Sequence, residues 1–526
     1  MTGLQQRAYQ GMGWSGSSGM FALFLEMMKY IILARILDPG VFGLLAMAMV
    51  FISIGRIFSD GGTSNAVIHF EHHTKGQLST LFWVNIMAGS LLFAVIFCLS
   101  NAAATFYGEA EVGRILRLSA FILPAYAAGA LHEVLLRKQL LFKRIAFAET
   151  VSAAAGFVTA VLLAVTGHGV YALVWSYLVV SLTQTMICVI AGRHLFLPRL
   201  YFRFGEVRNY LKFGLYQMGE RALNVYSTRI DQLIIGRFFG PEILGAYFLA
   251  FQLLLFPLLR LSPLLNRVAF PVFSTRQHDN AILRNGYLTL LQGVLAVSIP
   301  LFMITALSAP WLIPLVFGQG WEISIRLVPF MVVIGLLRMA GNPSGNIALS
   351  KGRASLLFYW NLMAAAVNTG IFLLGAQYSI YALAALYLLV NIIYFIAGQT
   401  ILVNRLIGLD WGRLLRAVRP VLLATLIAVA LTAVFSYLAG GAREYITAFG
   451  DLKSIQDVMG MLVLLWKDSV IWSQASHVGR TGMVFAIAGL FLILYLPVVW
   501  RYHSWIARDF MGALFTHRFQ KKEHRQ

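Results

Sequence analysis

The chain has 526 residues, of which 59% are hydrophobic and only 12% are charged. Soluble domains usually carry about 25% charged residues, so the chain lacks the polar surface that a soluble domain needs. The formal net charge is +20, but the basic residues lie mostly in short loops between apolar stretches. This placement argues against nucleic acid as a partner and is typical of an orientation signal in a membrane.

Apolar stretches long enough to cross a bilayer recur along the whole chain. A helical span needs about 20 mostly apolar residues, and the pattern predicts an all-α polytopic membrane protein of about 14 transmembrane helices. Because this number is even, both termini are predicted on the same side. The predicted helices cover residues 13–35, 41–60, 77–99, 112–135, 146–166, 170–192, 209–236, 242–263, 285–308, 322–348, 355–375, 380–403, 420–439 and 481–500.

Basic residues are divided unequally between the loops on the two sides. If the N-terminus is cytoplasmic, about 25 lysines and arginines fall in cytoplasmic segments and six fall on the opposite side. An excess of this kind is expected of a correctly oriented membrane protein. We therefore predict a multi-pass protein with both termini in the cytoplasm.

The segment between the last two predicted helices differs from the other loops. Residues 440–480 carry apolar side chains at spacings of three and four between charged ones, which predicts an outer amphipathic helix. This helix would lie either on the membrane surface or against the protein itself. The residues that follow the last helix form a basic tail, which is predicted in the cytoplasm.

Short sequence matches indicate an internal repeat. Residues 38–43 and 240–245 each place a proline near the start of a helix and a glycine four residues after it. Residues 169–173 resemble residues 379–383 at a similar offset. The common order of the matches favours a duplication in which both halves have the same orientation.

The repeat predicts two six-helix lobes followed by two extra helices. Transporters with such repeats bind cargo near the interface between the repeats and rock one half against the other. The predicted parts are an N-lobe at 1–204, a C-lobe at 205–405, and residues 406–526 with the extra pair.

Charged residues also occur inside the predicted spans, where each costs about 2.5–3.5 kcal/mol on insertion scales. Glu26 and Lys29 share a face of the first helix, where they form either part of a polar cavity or a local ion pair. Arg56 and Arg260 lie at related depths in the second and eighth helices. Two guanidinium groups can converge on one phosphate group, or each can reach the membrane surface from a helix end.

The seventh predicted helix is the least apolar span, so it must line water or an interface between helices. Glu220 is the candidate for a carboxylate that binds a coupling ion, and its alternative role is a structural network with Arg221. The polar positions predicted along this helix are Glu220, Arg221, Asn224, Arg229 and Asp231.

The tenth predicted helix carries Arg338 and Asn342 beside Pro343, where a kink would turn backbone carbonyls toward a cavity. The sequence has no metal-ligand cluster and no P-loop, and no outer loop carries paired carboxylates. We therefore predict no cofactor and no enzymatic activity.

Three segments carry a family resemblance. Residues 231–247 read DQLIIGRFFGPEILGAY, and their first-half counterpart, residues 33–43, reads LARILDPGVFG. Both resemble the corresponding helix junctions of bacterial polysaccharide transporters, and residues 59–68, SDGGTSNAVI, resemble the end of helix 2 in that family. These are the Wzx-type lipid-linked oligosaccharide flippases of the multidrug/oligosaccharidyl-lipid/polysaccharide exporter superfamily. The resemblance covers about residues 1–405.

The resemblance implies a function in surface polysaccharide synthesis, whether of exopolysaccharide, capsule or O-antigen. A protein of this family would move an undecaprenyl-diphosphate-linked oligosaccharide across the bacterial inner membrane by alternating access. Its expected partners are this cargo, membrane lipids, and the polysaccharide polymerase and chain-length proteins.

The resemblance also implies cavity arginines on helices 1, 2 and 8. Arg56 and Arg260 match the second and eighth helices, whereas the first helix offers Glu26 and Lys29 in place of an arginine. We expect Arg56, Arg260, Lys29 and Arg338 to hold the diphosphate. Glu220 or Glu26 would couple transport to protons or sodium ions.

Two other classes of function are weighed against this one. A cation-coupled multidrug exporter of the same superfamily would favour acidic and aromatic cavity residues over arginines. A membrane-embedded polymerase or ligase would need catalytic residues in a large outer loop, and only residues 440–480 are long enough.

Overall fold

The computed structural model describes residues 3–70, 72–275 and 277–436, together with eight positions between 486 and 496. All regular secondary structure in this part of the chain is helical, which confirms the predicted all-α membrane fold. The predicted amphipathic segment 440–480 and the basic tail lie outside the described residues.

Long helices joined by short turns build the fold. They are α1 (Gly3–Ala34), α2 (Pro39–Ser59), α3 (Thr63–His69), α4 (Lys75–Tyr107), α5 (Ala110–Ser119), α6 (Ile122–Lys138), α7 (Phe142–Val165), α8 (Val170–Gly192), α9 (Phe204–Thr275), α10 (Asn280–Phe317), α11 (Glu322–Ser350), α12 (Ala354–Ala376), α13 (Ile380–Gly398), α14 (Arg405–Ile407) and α15 (Trp411–Ser436). A π-helix, Gln399–Asn404, joins α13 to α14.

Eleven helical segments in the described residues are long and apolar enough to cross a membrane. They correspond to the first twelve predicted spans. There are eleven rather than twelve because one segment, Arg221–Gln252 of α9, covers parts of both the predicted seventh and eighth spans. The predicted thirteenth span corresponds to the second part of α15. The predicted fourteenth span lies mostly outside the described residues, so the total of 14 stays a prediction.

The fourth predicted span is bent, because α5 ends and α6 begins near Ala120. Pro124 causes the break, since its ring clashes with the carbonyl four residues earlier and it has no N–H to donate. Arg117 in the last turn of α5 donates to the Ser100 hydroxyl of α4 at 3.0 Å. Because of the break between α5 and α6, the structure differs here from the single helix predicted over residues 112–135.

The long helix α9 is interrupted at Gly240, where φ is 79° and ψ is −178°. A positive φ favours glycine because a side chain would clash with the backbone. The interruption falls between the predicted seventh and eighth helices. Pro241 then begins the second part of α9, just as Pro39 begins α2, and proline suits the first position of a helix because no N–H is needed there.

Two lysines make matching contacts in the two halves of the predicted repeat. Lys138 at the end of α6 donates to the carbonyl oxygens of Val67 at 3.0 Å and Phe70 at 2.5 Å. Lys351, which follows α11, donates to the carbonyl oxygen of Gln277 at 2.5 Å. Each lysine ties the fourth helix of its half to the turn before the third. These contacts support the internal repeat.

Contacts within the chain define two compact units. The first comprises Met1–Leu249 and Asn361–Ile380, and the second comprises Ala250–Trp360 and Tyr381–Gln526. The division into an N-lobe, a C-lobe and an extra pair rests on the sequence repeat and stays a prediction.

Within the first unit, α2 and the second part of α9 touch through their backbones. A Cβ atom at Gly43 would lie 1.8 Å from the carbonyl oxygen of Pro241, and one at Gly245 would lie 1.7 Å from that of Pro39. The four residues occupy equivalent positions of the repeat. Only glycine permits this approach, because any side chain would overlap the opposite carbonyl group. We call this reciprocal contact the Pro–Gly junction.

We expect Gly43→Ala to destabilise the protein although alanine is the better helix former. The new methyl group would overlap Pro241, and overpacking of this kind usually costs about 1–3 kcal/mol. Thermal unfolding of the purified protein in detergent measures the effect. Gly370→Ala is the matched control, because a Cβ there meets nothing within 4 Å and alanine should favour the helix. Equal melting temperatures for the two variants would contradict the close approach.

Candidate functional site

Arg56 lies in the last turn of α2 and is exposed. Its guanidinium carbon lies 4.2 Å from the ring centroid of Tyr126 on α6. This distance is typical of a cation–π contact, which stabilises a cation on an aromatic face. Among the described residues the Arg56 guanidinium group makes no hydrogen bond, so its N–H donors are able to bind an anion.

A polar face of α6 continues from Tyr126 toward the end of the helix. The Glu133 carboxylate accepts a hydrogen bond from Arg137 at 2.6 Å and one from the Gln184 side chain of α8 at 3.5 Å. The charged groups close enough to act on the Tyr126 hydroxyl are those of Arg56, Asp60, Glu133 and Arg137. We call Tyr126, Glu133 and Arg137, together with the neighbouring Arg56 of α2 and Gln184 of α8, the α6 polar face.

Arg221 of α9 pairs with Asp60, the residue that follows α2, at 3.6 Å. The carboxylate is buried, and the Ser64 hydroxyl donates to it at 2.5 Å. Arg221 therefore lies next to the end of α2 that carries Arg56. This pairing gives the buried carboxylate a counter-charge, which a buried acidic group needs.

The first part of α9 packs closely on the turn between α2 and α3. A Cβ atom at Gly62 would lie 2.4 Å from Cα of Gly214. The ring of His69 stacks on Phe213 with centroids 4.6 Å apart and an angle of 8°. Tyr210 contributes to the same buried apolar cluster. This packing holds the first part of α9, and with it Arg221, against α2.

Lys29 is buried on α1. Its ammonium nitrogen lies 4.5 Å from the ring centroid of Tyr177 on α8 and 5.3 Å from that of Tyr30. The two tyrosine hydroxyls share a hydrogen bond of 2.7 Å. Glu26 and Arg229 are close enough for their charges to act on this pair. The structure thus brings three predicted site residues, Glu26, Lys29 and Arg229, into one group.

Asp231 is buried in α9 and is held by hydrogen bonds. Its carboxylate accepts from the Tyr247 hydroxyl at 2.7 Å and from the backbone N–H of Gln232 at 2.8 Å. Arg229 donates to the Gln232 side chain at 3.0 Å. Asn224 lies on the same helix with an exposed side chain.

Arg338 belongs to the second compact unit, on α11. It donates to the Tyr387 hydroxyl and, at 3.3 Å, to the Asn391 side-chain oxygen, both on α13. Asn342 lies one turn further along α11 and is partly buried.

Two predicted site residues, Glu220 and Arg260, lie in α9, and their side chains are outside the described residues. Arg56 is in the first unit and Arg260 is in the second. Their convergence on one anion stays a prediction.

Sequence reasoning did not single out several residues of these groups, among them Tyr126, Glu133, Arg137, Tyr177 and Gln184. A search for polar residues on one helical face would have found Tyr126, Glu133 and Arg137, which are separated by seven and four positions and therefore share a face.

The spans are apolar, yet they carry ionised groups that are paired with opposite charges or stacked on aromatic rings. Ionisable residues placed in this way mark the pathways of membrane transport proteins. The protein is therefore a multi-pass membrane protein of the transporter class. A family model described as "Polysaccharide biosynthesis protein" matches residues 32–326. This match covers more than half of the chain, and the chain belongs to that family.

Two curated relatives align with most of the chain. The teichuronic acid biosynthesis protein TuaB of Bacillus subtilis (strain 168) is 29% identical over 411 residues, which are 76% of this chain and 83% of the relative. The lipopolysaccharide biosynthesis protein WzxC of Escherichia coli (strain K12) is 27% identical over 406 residues, covering 77% and 82%.

Solved structures share the fold. The lipid II flippase MurJ in an inward closed conformation superposes with a TM-score of 0.68 over 94% of this chain and 99% of that one, at 12% identity. A multidrug resistance MATE transporter of the MOP superfamily, in an inward-facing conformation, gives a TM-score of 0.52 over 72% and 94%, at 14% identity. At these identities the likeness establishes the fold alone.

The comparisons confirm the resemblance to the polysaccharide transporters. The prediction that the chain is a transporter and not an enzyme is also confirmed. The competing hypothesis of a polymerase or ligase is thereby set aside.

His73 connects the turn before α4 to α6 and α9. Its Nε2 lies 2.5 Å from Nζ of Lys138, and its Nδ1 lies 2.9 Å from the Tyr210 hydroxyl. Because an ammonium group can only donate, Nε2 accepts and Nδ1 carries the proton. Burial and the nearby charge of Lys138 lower the pKa of His73, so that the ring is neutral at pH 7.

We expect acidification to weaken this contact. Because the pKa of His73 is lower in the folded protein than in the unfolded chain, its contribution to stability is complete above about pH 6.5 and is lost as the pH falls. The melting temperature should fall between about pH 7.5 and 5.5, and it should fall less in His73→Gln. His278→Gln is the control, because His278 precedes α10 as His73 precedes α4 but is exposed. The same pH dependence in wild type and His73→Gln would contradict this role.

Proposed function

We propose that the protein translocates an undecaprenyl-diphosphate-linked oligosaccharide from the cytoplasmic to the outer leaflet of the bacterial inner membrane. The observation that carries this proposal is Arg56, an exposed guanidinium group 4.2 Å from the ring centroid of Tyr126 that makes no hydrogen bond among the described residues, in a chain of the polysaccharide biosynthesis family. Relatives named for teichuronic acid and lipopolysaccharide biosynthesis, and a neighbour named for flipping lipid II, support a cargo of sugars linked to a lipid.

The diphosphate is the part of the cargo that arginine recognises best. A planar guanidinium group donates two parallel hydrogen bonds to phosphate oxygens, and charge-assisted bonds of this kind are about twice as strong as neutral ones. Arg56 supplies such a group in the first unit. Arg260, Lys29 and Arg338 are the further cations of the proposed diphosphate site. The sugars would stay in water between the spans, and the lipid chain would stay in the bilayer.

Coupling to protons or sodium ions is assigned to Glu26 or Glu220. Glu26 acts electrostatically on Lys29 and on the tyrosine pair beside it. When the anionic cargo binds near Lys29, the cargo would compete with Glu26 for the same positive charge. A carboxylate deprived of its counter-charge in an apolar surrounding gains affinity for a proton or a cation. This competition would link cargo binding to ion binding.

Alternating access would require α2 and the second part of α9 to separate at the Pro–Gly junction. The loop charges predict that this end of the two helices lies on the outer side. The junction is made by prolines and glycines, which carry no charge, so its separation would leave no unpaired charge among these four residues. Polysaccharide polymerase and chain-length proteins would take up the cargo after its release on that side.

The arginine assignment predicts the phenotype of Arg56→Ala combined with Arg260→Ala. Each lost charged hydrogen bond costs about 1.5–3 kcal/mol, so cargo affinity should fall more than about a hundredfold. Export of surface polymer should stop, and lipid-linked repeat units should accumulate in the inner leaflet while the protein remains inserted.

Arg114→Ala is the matched control, because Arg114 is an exposed arginine whose ion pair is formed with Glu111, three residues earlier on the same helix. It should leave polymer output unchanged. Normal output from the double variant would overturn the arginine assignment. Drug sensitivity with normal polymer in cells that lack the protein would favour the multidrug alternative.

A cross-link tests the proposed opening of the Pro–Gly junction. A Cβ atom at Gly40 would lie 3.6 Å from Cγ of Glu242, so side chains at these two positions face each other across the junction. In a Cys98→Ser background, Gly40→Cys with Glu242→Cys should lose export under oxidising conditions and regain it with reductant. Each single cysteine variant is a control that should be insensitive to oxidant. Wild-type export by the fully cross-linked protein would exclude separation at this point.

A further inference from the structure

The α6 polar face carries more than a diphosphate contact requires. Glu133 is an acidic residue, and a carboxylate repels a diphosphate. Yet its side chain keeps 16% of its surface exposed, while the side chain of its partner Arg137 is 50% exposed. Gln184 reaches the same carboxylate from α8. The Glu133 carboxylate, the Arg137 guanidinium group and the Gln184 amide are therefore accessible together, about two helical turns along α6 from Tyr126.

We propose that Glu133, Arg137 and Gln184 form a subsite for the sugar that adjoins the diphosphate. The proposal rests on the proposed function and adds a recognition site for sugar hydroxyl groups to it.

The chemistry of the three groups fits a sugar. A hydroxyl group both donates and accepts, so it pairs with a carboxylate that only accepts and with a guanidinium group that only donates. Gln184 offers both functions. The 3.5 Å hydrogen bond between Gln184 and Glu133 is long, and a sugar hydroxyl could replace it. A site built to hydrogen-bond hydroxyl groups discriminates strongly, because a cargo without them leaves polar groups unpaired.

The geometry places this subsite beside the diphosphate contact. Tyr126, which stacks on Arg56, and Glu133 share one face of α6, and a helix rises about 1.5 Å per residue. Seven residues therefore separate the two levels by about 10 Å, which suits a sugar attached to a diphosphate held at Arg56. A helix also fixes these positions more rigidly than a loop would.

The competing explanation is that Glu133 forms only an ordinary surface ion pair with Arg137. A pair four residues apart on a helix surface contributes only about 0.3–0.5 kcal/mol and needs no ligand. The protein contains a similar pair, three residues apart, at the opposite end of the same span, where Glu111 and Arg114 lie 2.9 Å from each other. Glu111 also accepts a hydrogen bond from the Tyr171 hydroxyl at 2.7 Å. This second pair provides the matched control.

The experiment compares two lipids on the purified full-length protein. One is undecaprenyl diphosphate without sugars, and the other is undecaprenyl diphosphate carrying the repeat unit extracted from the cells that produce the protein. Glu133→Gln should weaken binding of the sugar-bearing lipid about tenfold, the effect of one lost charged hydrogen bond, and should not weaken binding of the bare lipid, because the lost carboxylate repels the diphosphate. Glu111→Gln should change neither affinity.

A second variant keeps the test decisive if Glu133→Gln disturbs the helix. Gln184→Leu leaves the Glu133–Arg137 pair intact and should weaken only the sugar-bearing lipid, by a few-fold, because it removes a neutral hydrogen bond. Equal weakening of both lipids, or no change for either in both variants, would overturn the subsite.

The two proposals fail in different ways. If Arg56→Ala weakens both lipids while Glu133→Gln and Gln184→Leu weaken neither, only the sugar subsite is lost. If the wild-type protein binds neither lipid, or if Arg56→Ala leaves binding of the bare lipid unchanged, the diphosphate site itself is wrong and the subsite falls with it.

Discussion

The inability of hydrocarbon to solvate charge is the constraint on which the rest of this structure depends. Each ionised group in a span must find a partner, an aromatic face or water, since an unpaired charge is costly there. Lys29 meets two tyrosine rings, Arg56 meets Tyr126, and Arg137 meets Glu133. Groups held in this way keep most of their hydrogen-bonding capacity, so the means of tolerating charge in the membrane also prepares a site for an anion.

The same constraint explains how the helices touch each other. The hydrophobic effect does not drive helices together inside a bilayer, so close packing of backbones and small residues holds them together. The Pro–Gly junction and the contact between Gly62 and Gly214 both follow this rule. One contact lies near the start of α2 and the other just after its end, and each joins α2 to a different part of α9.

Sequence patterns predicted the large features because they follow from local properties. Apolar length located the first twelve spans, and loop charge gave their orientation as a hypothesis. The repeat drew attention to Pro39 and Pro241, and the segments that follow these two prolines contact each other in the structure. The bend at Pro124 was missed because the apolar run continues through it, although the proline was visible. Glu133 was not predicted because it lies at the end of the fourth apolar span, where charged residues are common, and Tyr126 was not predicted because an aromatic residue in a span has many ordinary roles.

The sequence by itself determined that this protein lives in a membrane, that its helices repeat, and that charges such as Lys29 and Arg56 lie within its spans, because hydropathy, spacing and charge are properties of neighbouring residues. Only the tertiary structure decided which charges meet. Arg221 pairs with a carboxylate 161 positions earlier in the chain, and Lys29 lies against a tyrosine on α8. Such contacts depend on how helices that are distant in sequence cross and pack, and no local pattern encodes that arrangement.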